Sequence, residues 1–166
     1  MSPQARDQSH SRYRIAGVTL AEGLSTPRGP EVEQEKTIAI NDLLERNHFA
    51  PRDSAGGPYR LILAIAEGRL VFDVRLDSGE EHARIVLSLT PFRRVLKEYR
   101  EVCDSYYVAI RESPPGRIEA LDMGRRGLHD EGAGLLMERL EGKIAMDFTT
   151  ARQLFTLLCA LSGKSA

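Results

Sequence analysis

Between residues 59 and 89 three runs follow one another in which apolar and polar side chains alternate, separated only by Glu67-Gly68 and by Asp77-Ser78-Gly79-Glu80. Period-two alternation puts every second side chain on one face of a strand. Links this short join antiparallel neighbours, so the chain is committed to a three-stranded meander. The two-residue link sets the first register, with Ile65 opposite Leu70, Leu63 opposite Phe72 and Leu61 opposite Val74. Pairing Leu76 with Glu81 sets the second, with Val74 opposite Ala83, Phe72 opposite Ile85 and Leu70 opposite Leu87. One face of the meander is then apolar. The other carries Arg60, Arg69, Asp73, Arg75, His82 and Arg84, with Asp73 opposite Arg84 as a cross-strand ion pair. A sheet with one dry face needs a covering layer, so helices are expected to pack on that face.

Helical periodicity supplies the layer. Residues 31–47 place Val32, Ala39, Ile40, Leu43 and Leu44 on one side, after Pro30 and among Glu31, Glu33 and Glu35 in the first turn. Thr90-Pro91 reads as N-cap and first residue of a long helix, with Phe92, Val95, Leu96, Tyr99, Val102, Cys103, Tyr106 and Ile110 on its apolar face. Pro114-Pro115 ends it. A further helix is expected over 117–131, broken or bent by Gly132 and Gly134 and resuming over 135–140. Gly124 and Gly127 suggest close backbone approach by another element. Thr150 and Gln153 form a capping box for a last helix to Leu161. Short strands are expected over 14–20 and 143–148, and loops over 25–30 and 50–58. The fold class is α+β: an antiparallel sheet, the meander plus one or two further strands, with helices packed on one face. Leu63, Phe72, Ile85, Val95, Tyr99, Val102 and Leu158 should share the core.

At 166 residues the chain fits one domain, expected over 13–162, with disordered tails at 1–12 and 163–166. Residues 1–12 are polar and lack the apolar stretch of a secretory signal, and the longest apolar run, 61–66, is too short for a bilayer. Cys103 and Cys159 both fall in helical stretches and read as packed thiols. The expected compartment is the cytoplasm. A net charge of −1 gives no global field to draw in nucleic acid or an anionic membrane.

Several runs resemble a known family. They are 67–75, 87–94 (Leu-Ser-Leu-Thr-Pro-Phe-Arg-Arg), 103–107 (Cys-Asp-Ser-Tyr-Tyr), 122–129 (Asp-Met-Gly-Arg-Arg-Gly-Leu-His) and 155–159. Together they resemble uncharacterised protein family 0262, found mainly in alphaproteobacteria, over residues 15–161. The family pattern has Asn where this chain has Asp130, a departure that weakens any role needing an amide there. The resemblance implies a bacterial cytosolic protein and brings no activity with it.

Motifs with known chemistry fail one by one. Gly163-Lys164-Ser165 imitates the end of a phosphate-binding loop, but Leu158 stands where the first glycine belongs. His10, His48, His82 and His129 are scattered without ligand spacing, so no metal and no cofactor is implied. There is no Gly-x-Ser-x-Gly elbow, and Cys103 sits on an apolar helix face.

Two polar constellations remain. Asp122, Arg125 and His129 fall within one sector about 60° wide at the rim of a buried helix face, at i,i+3 and i,i+4 spacing. They suit a structural network, or an acid/base or anion site joined by Tyr106 or Tyr107. The sheet face with Arg60, Arg69, Arg75, His82 and Arg84 has the charge to hold RNA but no aromatic to stack a base. Three readings follow. The favoured one is a non-enzymatic binding or regulatory module contacting a protein partner or itself. The others are an enzyme or small-anion binder at Asp122/Arg125/His129, and an RNA-binding protein using the basic face; nucleic acid is the weaker expectation and a membrane is not expected.

Overall fold

In a computed structural model, which describes residues 12–21 and 29–162, the elements run in the order β1 (Ile15–Ala21), α1 (Pro30–Glu45), β2 (Phe49–Pro51), β3 (Tyr59–Ala66), β4 (Arg69–Leu76), β5 (Glu81–Ser88), a 3-10 turn (Thr90–Phe92), α2 (Arg93–Glu112), α3 (Pro115–Leu140), β6 (Ile144–Met146) and α4 (Phe148–Ser162). The expected tails lie outside the described residues apart from Arg12, as does most of the expected loop at 25–30. Arg12 itself is tied down, with its guanidinium on the Ala55 carbonyl at 2.8 Å.

The class is α+β, with four helices and a mostly antiparallel four-stranded sheet in the order β1-β3-β4-β5 among the described residues. The β3–β4 register is the one the alternation dictates: Leu61↔Val74, Leu63↔Phe72 and Ile65↔Leu70. Glu67 (φ 52°) and Gly68 (φ 74°) both take positive φ, the signature of a type I′ hairpin whose twist matches the flanking strands. The inward set Tyr59, Leu61, Leu63, Leu70, Phe72 and Val74 is fully buried. It forms one cluster with Leu43 of α1, Val95 of α2, Leu136 of α3 and Phe155 of α4.

Several local expectations are corrected. β1 is parallel to β3, not antiparallel, because α1 provides the long crossover that a parallel neighbour needs. Part of the expected loop at 50–58 is strand: β2 pairs with β6 as a separate two-stranded sheet. Helix α3 runs unbroken through Gly132 and Gly134, since Gly132 packs directly against the Phe155 ring. Gly124 and Gly127 are not the sites of close backbone approach. A Cβ at Gly124 would meet only a Val102 methyl at 3.7 Å, and Gly127 faces open space.

The caps also differ. Thr90 opens a 3-10 turn without capping α2 through its side chain, and Ser88 Oγ accepts the Thr90 amide at 3.2 Å. Pro115 begins α3, so the double proline is a corner between two helices. Asp147, not Thr150, caps α4: its Oδ1 accepts the Thr150 amide at 3.1 Å. Thr150 lies within the helix, buried, where its Oγ1 accepts the His48 amide at 3.0 Å. Of the expected core, Leu63, Phe72, Val95, Tyr99 and Leu158 are buried, Ile85 packs against the cluster, and Val102 stays half-buried outside it. Ile110, expected on the apolar face of α2, is exposed.

Candidate functional site

The helical spacing that groups Asp122, Arg125 and His129 holds on α3, but the three side chains do not form one network. Asp122 Oδ1 accepts from Arg125 at 2.6 Å and its Oδ2 meets Arg126 at 2.9 Å. Those hydrogen bonds, that from Arg125 foremost, hold the Asp122 carboxyl below its usual range. Arg125 continues to Glu35 of α1 at 3.4 Å and lies over the Tyr106 ring, 4.6 Å from its centroid. Its Nε is buried without a hydrogen-bond partner among the described residues. Tyr107 is beside Glu35, and burial first, then that carboxylate, raises its hydroxyl above the usual phenol range.

His129 turns toward α4 instead. Its Nδ1 accepts from Arg152 Nε at 3.4 Å, which puts the proton on Nε2, and Nε2 donates to Thr156 Oγ1 at 2.7 Å. Thr156 in turn donates to the Arg152 carbonyl at 3.3 Å, closing a circuit. Its ring also packs against Tyr99 and Phe155, with centroids 5.5 and 5.6 Å away. Burial first, then the Arg152 charge, pushes the His129 pKa down to about 4, so the ring is neutral at neutral pH. Between the two circuits lies a cleft of about 320 Å³ whose lining includes Glu35, Tyr99, Arg126, Arg152 and Gln153.

The chemistry of this arrangement is that of matched charges. Asp122 and Glu35 face Arg125 and Arg126, and Asp130 faces Arg152 at 3.4 Å. The neutral imidazole of His129 has both nitrogens engaged within the chain, to Arg152 and to Thr156. Sequence reasoning missed Glu35, Arg152 and Thr156. Glu35 looked like a first-turn acid, and nothing local signals that it meets a residue 90 positions away. Cys103 is buried and its thiol is pushed up to about 12 by that burial, the opposite of a reactive cysteine.

The outer face of the sheet departs from expectation at one end. A register shift between Val74 and Arg75 pairs Arg75, not Leu76, with Glu81 and leaves His82 as the extra residue. His82 stacks on Tyr59, with centroids 5.6 Å apart, and its Nε2 meets Ser54 Oγ at 2.8 Å, so it leaves the basic face. Asp73 stands opposite Arg84 but bonds Arg75 at 3.1 Å, on its own strand. Arg75 also reaches Glu81 at 3.6 Å, and Arg60 meets Asp77 at 3.3 Å. Arg69 and Arg84 have no carboxylate partner among the described residues and are exposed. The face is not purely polar: Ala64, Val71 and Val86 stand side by side on three strands, with Ile62 next to them on β3.

Fold and sites thus define a small α+β protein with a charge-matched helix junction and a mixed basic and apolar sheet face. The family model for uncharacterised protein family UPF0262 matches residues 12–164, and the chain belongs to that family. A UPF0262 protein of Nitrobacter winogradskyi is 52% identical over 164 residues, covering 99% of this chain and 98% of the relative. One of Rhizobium leguminosarum bv. trifolii is 53% identical over 151 residues, covering 90% and 94%, and one of Rhizobium meliloti 55% over 150, covering 89% and 93%. No solved structure matches. Among the described residues no helix is long and apolar enough to cross a membrane.

Proposed function

We propose that residues 13–162 form a single domain acting as a non-enzymatic, cytoplasmic binding module, and that a protein partner docks on the sheet face away from the helices. The observation that carries this is the row Ala64–Val71–Val86, apolar side chains left on an outer face between guanidinium groups. Val86 is 41% exposed on the edge strand β5. Val86 is the exposed member of the row and Ala64 and Val71 are half-buried beside it, and apolar groups rimmed by polar residues are the mark of a contact surface. Asp122, Arg125 and His129 are read as structural, because the charges and ring nitrogens there are matched within the chain. The RNA reading is the weaker one for this face: it lacks a stacking aromatic, and carboxylates already meet Arg60 and Arg75.

The test is a photo-cross-linking residue at position 86 in the full-length chain, expressed in an alphaproteobacterial cell, with the same residue at Met123 as control. Met123 is 68% exposed on α3, a helix and not a strand of the sheet. A discrete protein adduct from position 86, absent from position 123, is the expected result. Identical patterns at both positions, or an adduct to nucleic acid alone, would overturn the proposal.

A further inference from the structure

Resting on that reading, we infer that the partner presents an acidic amphipathic helix, its apolar stripe on the Ala64–Val71–Val86 row and its carboxylates on Arg69 and Arg84. The register supplies the geometry. Ala21 pairs with Ala64, Ala64 with Val71, and Val71 with Val86, so one row of apolar side chains crosses the four strands. Two residues along on one side, Arg69 pairs with Ser88; two residues along on the other, Asp73 pairs with Arg84. These two guanidinium positions, which have no carboxylate partner among the described residues, therefore straddle the row, about 13 Å apart along the strands at ~3.3 Å per residue. An α-helix with side chains is about 10–12 Å across. One helix laid on the row would bring acidic residues from both flanks of its stripe within reach of both arginines.

Three other occupants fit less well. The interior strands β3 and β4 have their backbone groups paired in the ladder, so the face offers side chains and not a place for an added strand. A second copy of this face would set Arg69 and Arg84 against guanidinium groups of the same sign. Nucleic acid would meet the charge but waste the apolar row. A helix with a mixed stripe uses both, and the short side chains at Ala21, Ala64 and Ala66 let its backbone come close on the β1–β3 side.

The experiment is fluorescence anisotropy with a labelled synthetic helix of about 16 residues, roughly 24 Å long. Its leucine stripe is flanked by glutamates, and the comparison peptide keeps the stripe but carries lysines. The glutamate peptide should bind the full chain and the lysine peptide should not. Affinity should fall at least about tenfold in Arg84→Glu and in Val71→Asp, and fall again in about 0.3 M salt. Arg84 is exposed, so its variant tests the surface even where Val71→Asp unfolds, which a melting curve reports. Equal binding of both peptides, full retention in Arg84→Glu, or tighter binding of a single-stranded RNA of the same length would overturn the inference. A protein adduct from position 86 without binding of the glutamate peptide would overturn only the partner's chemistry; loss of both would remove the docking face as well.

Discussion

The backbone of Gly132 in α3 lies against the ring of Phe155 in α4: a Cβ placed on that glycine would stand 2.2 Å from Cε1 and Cζ of the ring. No contact that close is tolerated, so either the ring or the helix must move. Alanine would gain about 1 kcal/mol of helix propensity and lose more to overpacking, which typically costs about 1–3 kcal/mol. Gly132→Ala should therefore lower stability in urea unfolding. Pairing it with Phe155→Leu should recover part of the loss relative to the sum of the two single changes. A neutral Gly132→Ala would mean that the two helices can separate without cost.

The sheet register has its own test. Phe72 is fully buried and Val71, its neighbour in sequence, points to the other face. Phe72→Ala should cost about 3–5 kcal/mol, as large-to-small changes in a closed core do. Val71→Ala should cost less than about 1 kcal/mol. Reversal of that order by equilibrium unfolding would put the strand in register one residue away.

Glu67 sits in the left-handed region at the first position of a type I′ turn, where Asn is preferred. Glu67→Asn should raise stability by about 0.5–1 kcal/mol without touching the core. A lower melting temperature in this variant would contradict the turn type.

His129 makes stability depend on pH. Its folded pKa is down at about 4, below the ordinary value of 6.5, so between those values the unfolded chain binds the proton and the folded one resists it. Stability is then full above pH 6.5 and is lost progressively as the pH falls toward 4. Allowing for the ring's partial contact with solvent, the loss should be on the order of 2 kcal/mol. Thermal melts of the parent chain and of His129→Gln across this range should show the variant with the shallower slope. Parallel slopes would mean that the imidazole is solvated in the folded state.

The Asp122–Arg125 pair ties α3 to itself, and Glu35 carries the tie to α1. Asp122→Ala strands part of a half-buried guanidinium and should cost about 1–3 kcal/mol. Glu35→Gln should cost less, its contact being longer, 3.4 Å against 2.6 Å. A double-mutant cycle over Asp122 and Arg125 should show coupling; strict additivity would make the pair a surface ornament.

The meander and its β3–β4 register are legible in the sequence because both are local: a period of two and a two-residue turn leave few alternatives. The same holds for the apolar faces of α1 and α2, and for the grouping of Asp122 with Arg125 one turn apart. Local pattern fails where a residue's partner is distant. The alternation that put His82 on the basic face assumed regular pairing, and the shift at Arg75 moved it onto Tyr59. The glycine at 132 looked like a helix breaker until Phe155, 23 residues on, filled the space a side chain would have taken. Parallel β1, Glu35 beneath Arg125, and His129 joined to α4 all depend on contacts across long stretches of chain. By itself the sequence determined which side chains must leave water and in what local order, since periodicity and turn length act over a few residues. Which buried polar group meets which was decided only by the tertiary structure, because that pairing depends on how whole elements pack.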